Sequence, residues 1–232
     1  MSLEGKTILV TGASSGIGHA LTTLLLKNGA RVLGLCRDIS KLPQGTEPIQ
    51  CDLADTAEIN STFDAIPHLD AIINNAGLAL LSGISDGDPA DWETMWRINV
   101  HALTLCRQKA LPLLPDDGQI INVSSMSGHR VPSTGGFYAP TKFAVRAVTD
   151  ALRAELRSQG KKNRVATVSP GFVDTPLLNH YFKGREDALE QTKASMRMLT
   201  AEDIAHSILQ ILNTPPQVEI TDIQLRSSDQ VG

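Results

Sequence analysis

Short apolar runs rich in β-branched residues alternate with longer stretches of helical spacing along most of the chain. The runs are nearly continuous in apolar residues, which is typical of strands that helices cover on both faces. Strands are predicted at residues 7–11, 31–36, 48–51, 70–74, 119–124 and 164–169. A seventh strand is expected at residues 217–220, with 223–225 as an optional part of it.

The predicted helices lie between these strands and carry recognisable end signals. Asp88 and Pro89 supply an N-cap and a proline at the first helical position, and Thr200 precedes acidic residues at the start of the last helix. Because strands that alternate with helices need crossover connections, we predict an α/β fold with a doubly wound, seven-stranded, mostly parallel sheet in three αβα layers. One domain is expected over residues 1–232. The helices are predicted at residues 20–27, 56–66, 89–111, 138–157 and 204–212.

The composition excludes several classes of protein. The chain has 232 residues, a net charge of −4 and 41% apolar residues, and its aromatic residues are five Phe, two Trp and two Tyr. The mild acidity gives no reason to expect a nucleic-acid partner, and no apolar run is long enough to predict a membrane span. The N-terminus also lacks the apolar region of a signal peptide, so we predict a cytoplasmic protein.

The cysteines predict neither a disulfide nor a metal site. Cys36, Cys51 and Cys106 are far apart in the sequence and match no disulfide framework or zinc pattern. Each belongs to an apolar run, so we expect three buried thiols and no bound metal.

A glycine-rich loop joins the first predicted strand to its helix. Glycines let a backbone turn tightly against a phosphate, and the following helix presents free N–H groups to it. The position directly after the first strand favours a dinucleotide pyrophosphate site, although a tight turn alone would also use glycines. The glycines are spaced four and then two residues apart in Thr11-Gly12-Ala13-Ser14-Ser15-Gly16-Ile17-Gly18.

The end of the second strand bears on the type of nucleotide. Folds that bind NAD usually carry Asp or Glu there for the ribose 2′-hydroxyl, whereas this strand ends in Cys36, followed by Arg37 and Asp38. The guanidinium of Arg37 suits a 2′-phosphate. We therefore expect NADP(H), with NAD(H) less favoured, although Asp38 weakens the argument and a solvated surface role for Arg37 is the alternative.

A tyrosine, a lysine and a serine are candidates for proton-transfer chemistry. Tyr138 and Lys142 are four residues apart, which places a phenol and an ammonium on one face of a helix. A nearby cation favours the phenolate, so Lys142 is expected to lower the pKa of Tyr138. Ser125 follows the fifth strand, at the edge where open α/β sheets bind ligands. Ser124 and Ser127 compete for its role, and an ordinary turn position is the alternative for Ser125.

Taken in order, these motifs resemble the short-chain dehydrogenase/reductase family from about residue 3 to residue 225. The resemblance implies a Rossmann-type fold and hydride transfer between a nicotinamide and a ketone or secondary alcohol. It also implies a homodimer or homotetramer that pairs through the helices at residues 89–111 and 138–157. It is carried by the glycine loop, Asn74-Asn75-Ala76-Gly77, Asn99, Ser125, Tyr138 with Lys142, and Pro170-Gly171.

The resemblance assigns roles to the matching positions. Tyr138 would exchange the proton, Lys142 would bind the nicotinamide ribose and lower the tyrosine pKa, and Ser125 would bind the substrate oxygen. Asn99 would hold a water that connects Lys142 to solvent, or it is a helix amide that only bonds to backbone. The residues implied for cofactor binding, besides Tyr138 and Lys142, are Gly12, Ser14, Ser15, Gly16, Ile17, Gly18, Arg37, Asp52, Leu53, Asn75, Ala76, Gly77, Pro170, Gly171, Val173 and Thr175.

The substrate end of the pattern leaves alternatives open. Residues 175–199 correspond to the variable lid of the family and are amphipathic, so they either cover the pocket or pack as ordinary helices. His129 and Arg130 are candidates for binding a substrate carboxylate, although a surface salt bridge is the simpler role. The resemblance of residues 127–131 and 222–226 to one branch of the family implies a 3-hydroxy acid or a ketosteroid-like carbonyl as substrate.

A different class of function also fits the glycine loop. The chain could be a non-catalytic NADP(H)-binding sensor or assembly module, because such a module needs the nucleotide site alone. The complete set of proton-transfer residues around Tyr138 favours the enzyme, since a sensor has no use for them.

Overall fold

The computed structural model describes residues 3–133 and 135–230, so the predicted domain limits at residues 1 and 232 lie outside the described residues. The strands are β1 Thr7–Thr11, β2 Arg31–Cys36, β3 Glu47–Gln50, β4 Ala71–Asn74, β5 Gln119–Val123, β6 Arg164–Pro170 and β7 Asp222–Leu225. They form one sheet in the order β3-β2-β1-β4-β5-β6-β7, and every adjacent pair is parallel. The chain therefore winds outward in both directions from β1 and β4.

Helices connect most consecutive strands and cover both faces of the sheet. A π-helical segment, Arg97–Ala102, joins two of them into one long helix, and a short 3-10 turn, Met126–Gly128, follows β5. The helices are α1 Gly16–Lys27, α2 Thr56–Asp64, α3 Pro89–Trp96, α4 Leu103–Ala110, α5 Tyr138–Ser158, α6 Pro176–Tyr181, α7 Glu186–Ser195 and α8 Ala201–Leu212.

Two apolar cores lie on opposite faces of the sheet, and alternate residues of one strand belong to different cores. In β1, Ile8 and Val10 pack in the core that contains the buried faces of α1 and α8, whereas Leu9 packs in the core of α2, α4 and α5. Because helices cover both faces, the strand sequences are apolar without alternation. The predicted three-layer, doubly wound Rossmann-type fold is confirmed, and every strand pairing in the described residues is parallel.

The predicted helix starts are explained by local capping contacts. The Asp88 carboxylate accepts a hydrogen bond from the backbone N of Ala90 at 2.9 Å, with Pro89 at the first position of α3. Thr200 and Asp203 form a reciprocal capping box at the start of α8. These contacts satisfy N–H groups that the first turn of a helix leaves without partners.

The seventh strand lies further along the chain than its main prediction. Residues 217–220 form no strand, and β7 contains the residues treated as an optional part. The physical reason is Glu219, whose Oε1 accepts the hydrogen bond of the Val165 backbone N at 2.8 Å and whose Oε2 lies 2.9 Å from the Arg157 guanidinium. A side chain thus takes the N–H that backbone pairing at residues 217–220 would use.

Candidate active site

A cleft of about 500 Å³ runs along the carboxyl edge of the sheet, beside the point where the strand order reverses. All the predicted site residues except two line it. The exceptions, Gly18 and Asn99, are buried and do not reach its surface. The predicted residues that line the cleft are Gly12, Ser14, Ser15, Gly16, Ile17, Arg37, Asp52, Leu53, Asn75, Ala76, Gly77, Ser125, Tyr138, Lys142, Pro170, Gly171, Val173 and Thr175.

The glycine loop turns sharply from β1 into α1. Gly16 has a φ of +51°, a left-handed conformation that residues with side chains rarely adopt. A Cβ atom on Gly18 would stand 2.2 Å from the carbonyl oxygen of Gly12, so only glycine permits this close approach. The N-cap residue Ser15 makes no side-chain capping bond. The start of α1 thus has the form of an anion site, with N–H groups that no capping side chain occupies.

Thr11 holds the glycine loop against the loop that follows β4. Its Oγ1 accepts hydrogen bonds from the backbone N of Asn75 and from that of Ala76, each at 3.0 Å. In return, Asn75 Nδ2 donates to the carbonyl oxygen of Thr11 at 2.9 Å. These bonds fix two neighbouring walls of the cleft, and nothing in the spacing of the motifs singled out the Thr11 side chain for this task.

Arg37 lies in the part of the wall that follows β2, and its side chain is exposed. The neighbouring Asp38 is engaged elsewhere: its carboxylate accepts from the Ser40 hydroxyl at 2.6 Å, pairs with Lys41 at 2.9 Å and accepts from the backbone N of Ser40 at 3.2 Å. These contacts hold the pKa of Asp38 below its usual value. Among the described residues, the Arg37 side chain has no ion pair or hydrogen bond, so Asp38 does not neutralise it.

Ser125, Tyr138 and Lys142 come together in one wall of the cleft. The Ser125 side chain is close enough to Tyr138 to favour its ionised form, and Ser125 Oγ accepts from the backbone N of Ser127 at 3.1 Å. Tyr138 begins α5, and the Nζ of Lys142 lies 5.6 Å from the centroid of its ring. Lys142 Nζ donates to the carbonyl oxygen of Val123 at 3.1 Å, which ties α5 to the end of β5.

The two competing serines have other contacts. Ser124 is buried, and its hydroxyl donates to the carbonyl oxygen of Lys142 at 3.0 Å, so it packs α5 against β5. Ser127 lines the cleft, but its backbone N serves to orient the Ser125 hydroxyl. Ser125 is therefore the serine whose side chain faces the Tyr138 hydroxyl.

Burial dominates the acid–base properties of the Tyr138–Lys142 pair. It raises the pKa of Tyr138 to about 12, although the neighbouring Ser125 side chain acts in the opposite direction and the nearby Tyr181 adds to the rise. It lowers the pKa of Lys142 to about 8, because a buried ammonium loses its hydration. The prediction that Lys142 lowers the pKa of Tyr138 is therefore wrong for this structure. Burial is the largest cause of the rise, Lys142 is not among its causes, and the Lys142 ammonium is directed to the Val123 carbonyl.

Asn99 lies in the π-helical segment, close to Gly77 and Lys142. Its Oδ1 accepts from the backbone N of Leu78 and its Nδ2 donates to the carbonyl oxygen of Leu78, each at 2.7 Å, and Nδ2 also donates to Thr141 Oγ1 at 3.1 Å. A Cβ atom on Gly77 would stand 3.4 Å from Asn99 Oδ1 and 3.6 Å from Lys142 Nζ. Two of these three bonds are to backbone, as the alternative role of a helix amide requires, and the water-holding role remains a prediction.

The loop after β6 forms another wall of the cleft. The Thr175 side chain faces the glycine loop, because a Cβ atom on Gly16 would lie 3.2 Å from Thr175 Cβ. Val173 forms an isolated parallel bridge with Leu199, which brings the two ends of the predicted lid together. The predicted residues of this wall are Pro170, Gly171, Val173 and Thr175.

The predicted lid, residues 175–199, contains α6, α7 and their connections, and its side chains differ in their surroundings. Leu177, Leu178 and Tyr181 line the cleft, whereas Phe182 is buried. The Tyr181 ring meets the Tyr138 ring edge to face, with centroids 6.1 Å apart, and packs on Phe182 at 5.1 Å. Part of the lid therefore reaches the candidate proton donor directly.

His129 and Arg130 differ in their surroundings. His129 Nε2 lies 2.9 Å from Ser169 Oγ and 3.7 Å from Asp222 Oδ2, and burial and Arg146 lower the pKa of His129 against the opposing effect of Asp222. Arg130 is exposed and lines the cleft, without a salt bridge or side-chain hydrogen bond among the described residues. His129 thus has an acidic neighbour, but its lowered pKa disfavours the charged form that a salt bridge needs, and Arg130 stays a candidate for a substrate anion.

Sequence reasoning did not identify the apolar half of the cleft. Its residues belong to no motif and come from distant points of the chain, so only the folded topology brings them together. They include Leu78, Ala79, Ile98 and Met126, and the polar Gln230 lines the cleft without having been identified either.

The three thiols are buried and unpaired, as predicted, and burial raises the pKa of Cys106 to about 12. In the part of the chain that the structure describes, no group of acidic, histidine and cysteine side chains is arranged to hold a metal ion. A search of the same residues finds no helix with the length and apolar character that crossing a bilayer requires.

Comparison with known proteins agrees with this geometry. The family model for short chain dehydrogenase matches residues 6–186. Dehydrogenase/reductase SDR family member 11 from Gallus gallus is 38% identical, over 98% of this chain and 98% of its own length. Farnesol dehydrogenase from Aedes aegypti is 33% identical, over 96% of each chain.

A solved structure extends the agreement to the arrangement of nearly the whole chain. The closed form of serine dehydrogenase complexed with NADP+ matches with a TM-score of 0.91 and 29% identity, over 97% of this chain and 96% of its own. From the family match, these relatives and the shared fold, we conclude that the chain belongs to the short-chain dehydrogenase/reductase family of oxidoreductases, whose members bind a nicotinamide cofactor.

Proposed function

We propose that the chain is an NADP(H)-dependent oxidoreductase that transfers a hydride between the nicotinamide and a ketone or secondary alcohol. The observation that carries the proposal is that Ser125, Tyr138 and Lys142 stand in the wall of the cleft onto which the glycine loop opens. A nucleotide site and proton-transfer groups at one cleft suit a reaction that moves a hydride and a proton together.

The residues of the cleft fit a dinucleotide. The uncapped start of α1 suits the pyrophosphate, and the unpaired guanidinium of Arg37 suits a 2′-phosphate, which supports NADP(H) over NAD(H). Asp52 and Leu53 would contact the adenine end, and Val173 and Thr175 would flank the nicotinamide. The cofactor, when bound, supplies or accepts the hydride.

Tyr138 would provide the proton. Because burial raises its pKa to about 12, the phenol is protonated at neutral pH and can donate to a carbonyl oxygen held by Ser125. Lys142 would bind the nicotinamide ribose, and Asn99 would connect that lysine to solvent through a water. Alcohol oxidation needs the phenolate instead, so we expect the oxidation rate to increase toward alkaline pH.

For the substrate we propose a 3-hydroxy acid or its keto form, with a ketosteroid-like carbonyl as the apolar alternative. The unpaired Arg130 in the cleft wall supports an anionic group on the substrate, and one structural neighbour is named for serine, which is a hydroxy acid. The apolar residues of the cleft and the relative named for farnesol support the alternative.

We extend the proposal to the organisation of the protein. Residues 1–232 would act as one domain with residues 175–199 as its lid, in the cytoplasm and without a nucleic-acid or membrane partner. Assembly into a homodimer or homotetramer is supported by the exposed Trp96 on α3 and Phe143 on α5, which are 46% and 38% exposed. Rings of this size are common in protein interfaces.

Turnover of a panel of ketones, keto acids and alcohols with NADPH and with NADH tests the proposal. The variant Tyr138→Phe keeps the ring and removes the proton, so kcat should fall at least about a hundredfold while NADPH still binds. The absorbance of NADPH measures the rate, and a fluorescence titration measures binding. Undiminished activity in the variant would contradict the assignment. Tight NADPH binding without turnover across the whole panel would favour the sensor or assembly module instead.

A further inference from the structure

The chain after β7 folds back onto the cleft as a compact turn, residues 226–230, which we name the tail turn. Ser227 and Gln230 are only 7% and 8% exposed, although they lie outside any helix or strand. Within the turn, the backbone N of Gln230 donates to the carbonyl oxygen of Ser227 at 3.1 Å, and that of Asp229 donates to Ser227 Oγ at 3.2 Å. This turn is therefore an ordered part of the molecule.

The Gln230 side chain contacts the wall that flanks the proposed nicotinamide position. Its Oε1 accepts a hydrogen bond from the backbone N of Phe172 at 3.2 Å. Because a backbone N–H can only donate, this bond fixes which end of the amide faces Phe172. The Nε2 group, with two N–H donors, has no partner among the described residues, and Gln230 lines the cleft.

Gly171 makes room for this contact. A Cβ atom there would stand 2.2 Å from Gln230 Oε1 and 3.0 Å from Arg226 Cβ. The backbone N of Gly171 also donates to the carbonyl oxygen of Leu225 at 2.8 Å, so the loop after β6 lies directly on the end of β7. A side chain at position 171 would push the Gln230 amide away.

The tail turn also contacts the far end of the lid. Asp229 Oδ2 accepts a hydrogen bond from the backbone N of Arg197 at 3.2 Å. Two residues further on, the backbone N of Leu199 donates to the carbonyl oxygen of Phe172 at 3.0 Å. The tail turn thus accepts hydrogen bonds from backbone N–H groups near both ends of the segment from Phe172 to Leu199, at Phe172 and at Arg197.

We propose that Gln230 is a positioning and ligand-binding residue of this cleft. Its Oε1 holds the loop at Phe172, and its Nε2 donates to an oxygen acceptor of the bound ligand, either the cofactor carboxamide or a polar oxygen of the substrate. This inference rests on the proposed function for its choice of ligand only. The contact with Phe172 is independent of any turnover.

Amide hydrogen exchange of the full-length protein tests the positioning role. In Gln230→Ala the Phe172 amide loses its acceptor, and its exchange should speed up about twofold to tenfold, the range expected for one hydrogen bond. Gln230→Glu retains an acceptor and should exchange like the native chain. Gln224→Ala, an exposed glutamine on β7, is the matched control and should also be unchanged. Equal protection of Phe172 in Gln230→Ala and the native chain would overturn this role.

The variant Gly171→Ala offers a second way to break the contact between Gln230 and Phe172, because the added methyl group would displace the Gln230 amide. It should speed exchange at Phe172 as Gln230→Ala does, and the double variant should show little additional effect, because both changes remove one contact. Fully additive effects of the two substitutions would contradict a shared mechanism.

Ligand titrations test the donor role of Nε2. Gln230→Ala and Gln230→Glu both remove this donor, so each should weaken a ligand while Gln224→Ala should not. A higher Kd for NADPH identifies the cofactor as the acceptor, and a higher substrate KM with unchanged NADPH binding identifies the substrate. If neither constant changes in Gln230→Glu, the donor role is wrong. Absence of turnover on every substrate would contradict the proposed function, whereas exchange at Phe172 and NADPH binding would still be measurable.

Discussion

Arg37 and Arg130 belong to the same cleft, and neither side chain has an ion pair or hydrogen bond in the described part of the protein. Both are exposed and both line it, and the acid beside Arg37 is bound to Lys41 instead. Free guanidinium groups in a cleft concentrate anions and can form forked hydrogen bonds to phosphate or carboxylate. Because the two arginines follow different strands, they suit two separate anionic groups, one on the nucleotide and one on the substrate.

Arg37→Ala is expected to separate the two nicotinamide cofactors. A charge-assisted pair with a 2′-phosphate is worth about 1.5–3 kcal/mol, so the Kd for NADPH should increase about tenfold to a hundredfold. NADH has no such phosphate, and its Kd should change less than about twofold. Fluorescence titration of both cofactors measures this difference.

Arg97→Ala is the matched control for Arg37→Ala. Arg97 is also exposed, but it pairs with Glu93 at 2.7 Å and does not line the cleft. Its removal should leave both cofactor affinities unchanged. Equal weakening of NADPH and NADH by Arg37→Ala would show that the guanidinium does not recognise the phosphate.

The Tyr138–Lys142 pair shows how far residue spacing can predict chemistry. The spacing of four residues on a helix correctly predicts that the phenol and the ammonium are close, because it places both side chains on one face. The direction of the tyrosine pKa could not be predicted in the same way. It depends on how much protein covers the hydroxyl, and the electrostatic effect of Tyr181, which belongs to a distant segment, raises this pKa further.

Helix α6 brings the lid into contact with the candidate proton donor. Tyr181 is its last residue, and its ring lies against Tyr138 on one side and Phe182 on the other. Tyr181 also contributes to the raised pKa of Tyr138. The position of α6 is therefore expected to influence proton transfer as well as access to the cleft.

Tyr181→Phe is expected to change the pH dependence of alcohol oxidation. The nearby Tyr181 hydroxyl disfavours the Tyr138 phenolate, so its removal should lower the pKa of Tyr138. Since oxidation requires that phenolate, the rise in kcat with pH should move to lower pH. Stopped-flow rates from neutral to strongly alkaline pH measure the midpoint.

Tyr181→Leu distinguishes the charge of this phenol from the packing of its ring. It removes both, so it should lower the midpoint and also raise the substrate KM, because the ring lines the cleft. A midpoint that moves to higher pH in Tyr181→Phe, or that stays unchanged in both variants, would contradict the role of Tyr181.

Most elements could be predicted because their signals are local. Asp88 and Thr200 cap their helices through bonds to neighbouring residues, and these are visible in the sequence. Strand β7 could not be located in this way. Glu219 bonds across to β6, and a contact between positions so far apart in the sequence has no local signature.

At the scale of the whole molecule, the cleft exists because the strand order reverses between β1 and β4. The motifs predicted which residues form its glycine-loop side, since glycines and charged residues there follow successive strands. They did not predict the role of Gln230, which reaches the cleft only after the whole sheet has formed. Tertiary contacts of this kind become visible only in the folded structure.

The proposed assembly depends on a surface that the isolated chain leaves apolar. Trp96 and Phe143 are 46% and 38% exposed on α3 and α5, and the Trp96 ring lies 6.5 Å from that of Phe137 at the start of α5. In a two-fold symmetric interface each residue is used twice. Fully burying an exposed side chain of this kind is worth about 1.5–3 kcal/mol, and these rings are already about half buried. The loss of one residue type from both subunits therefore costs a dimer about 1.5–3 kcal/mol.

Trp96→Asp is accordingly expected to convert the assembly to monomers at micromolar concentration, because a carboxylate in a dry interface is also poorly solvated. Phe143→Asp should act in the same direction. Ile39→Asp is the matched control, since Ile39 is 40% exposed in the turn after β2, away from both helices. Light scattering measures the mass, and circular dichroism verifies that each variant is folded. If the Trp96→Asp and Phe143→Asp variants are folded and keep the native mass, subunits do not pair through these helices. A native protein that is itself monomeric would contradict the proposed assembly altogether.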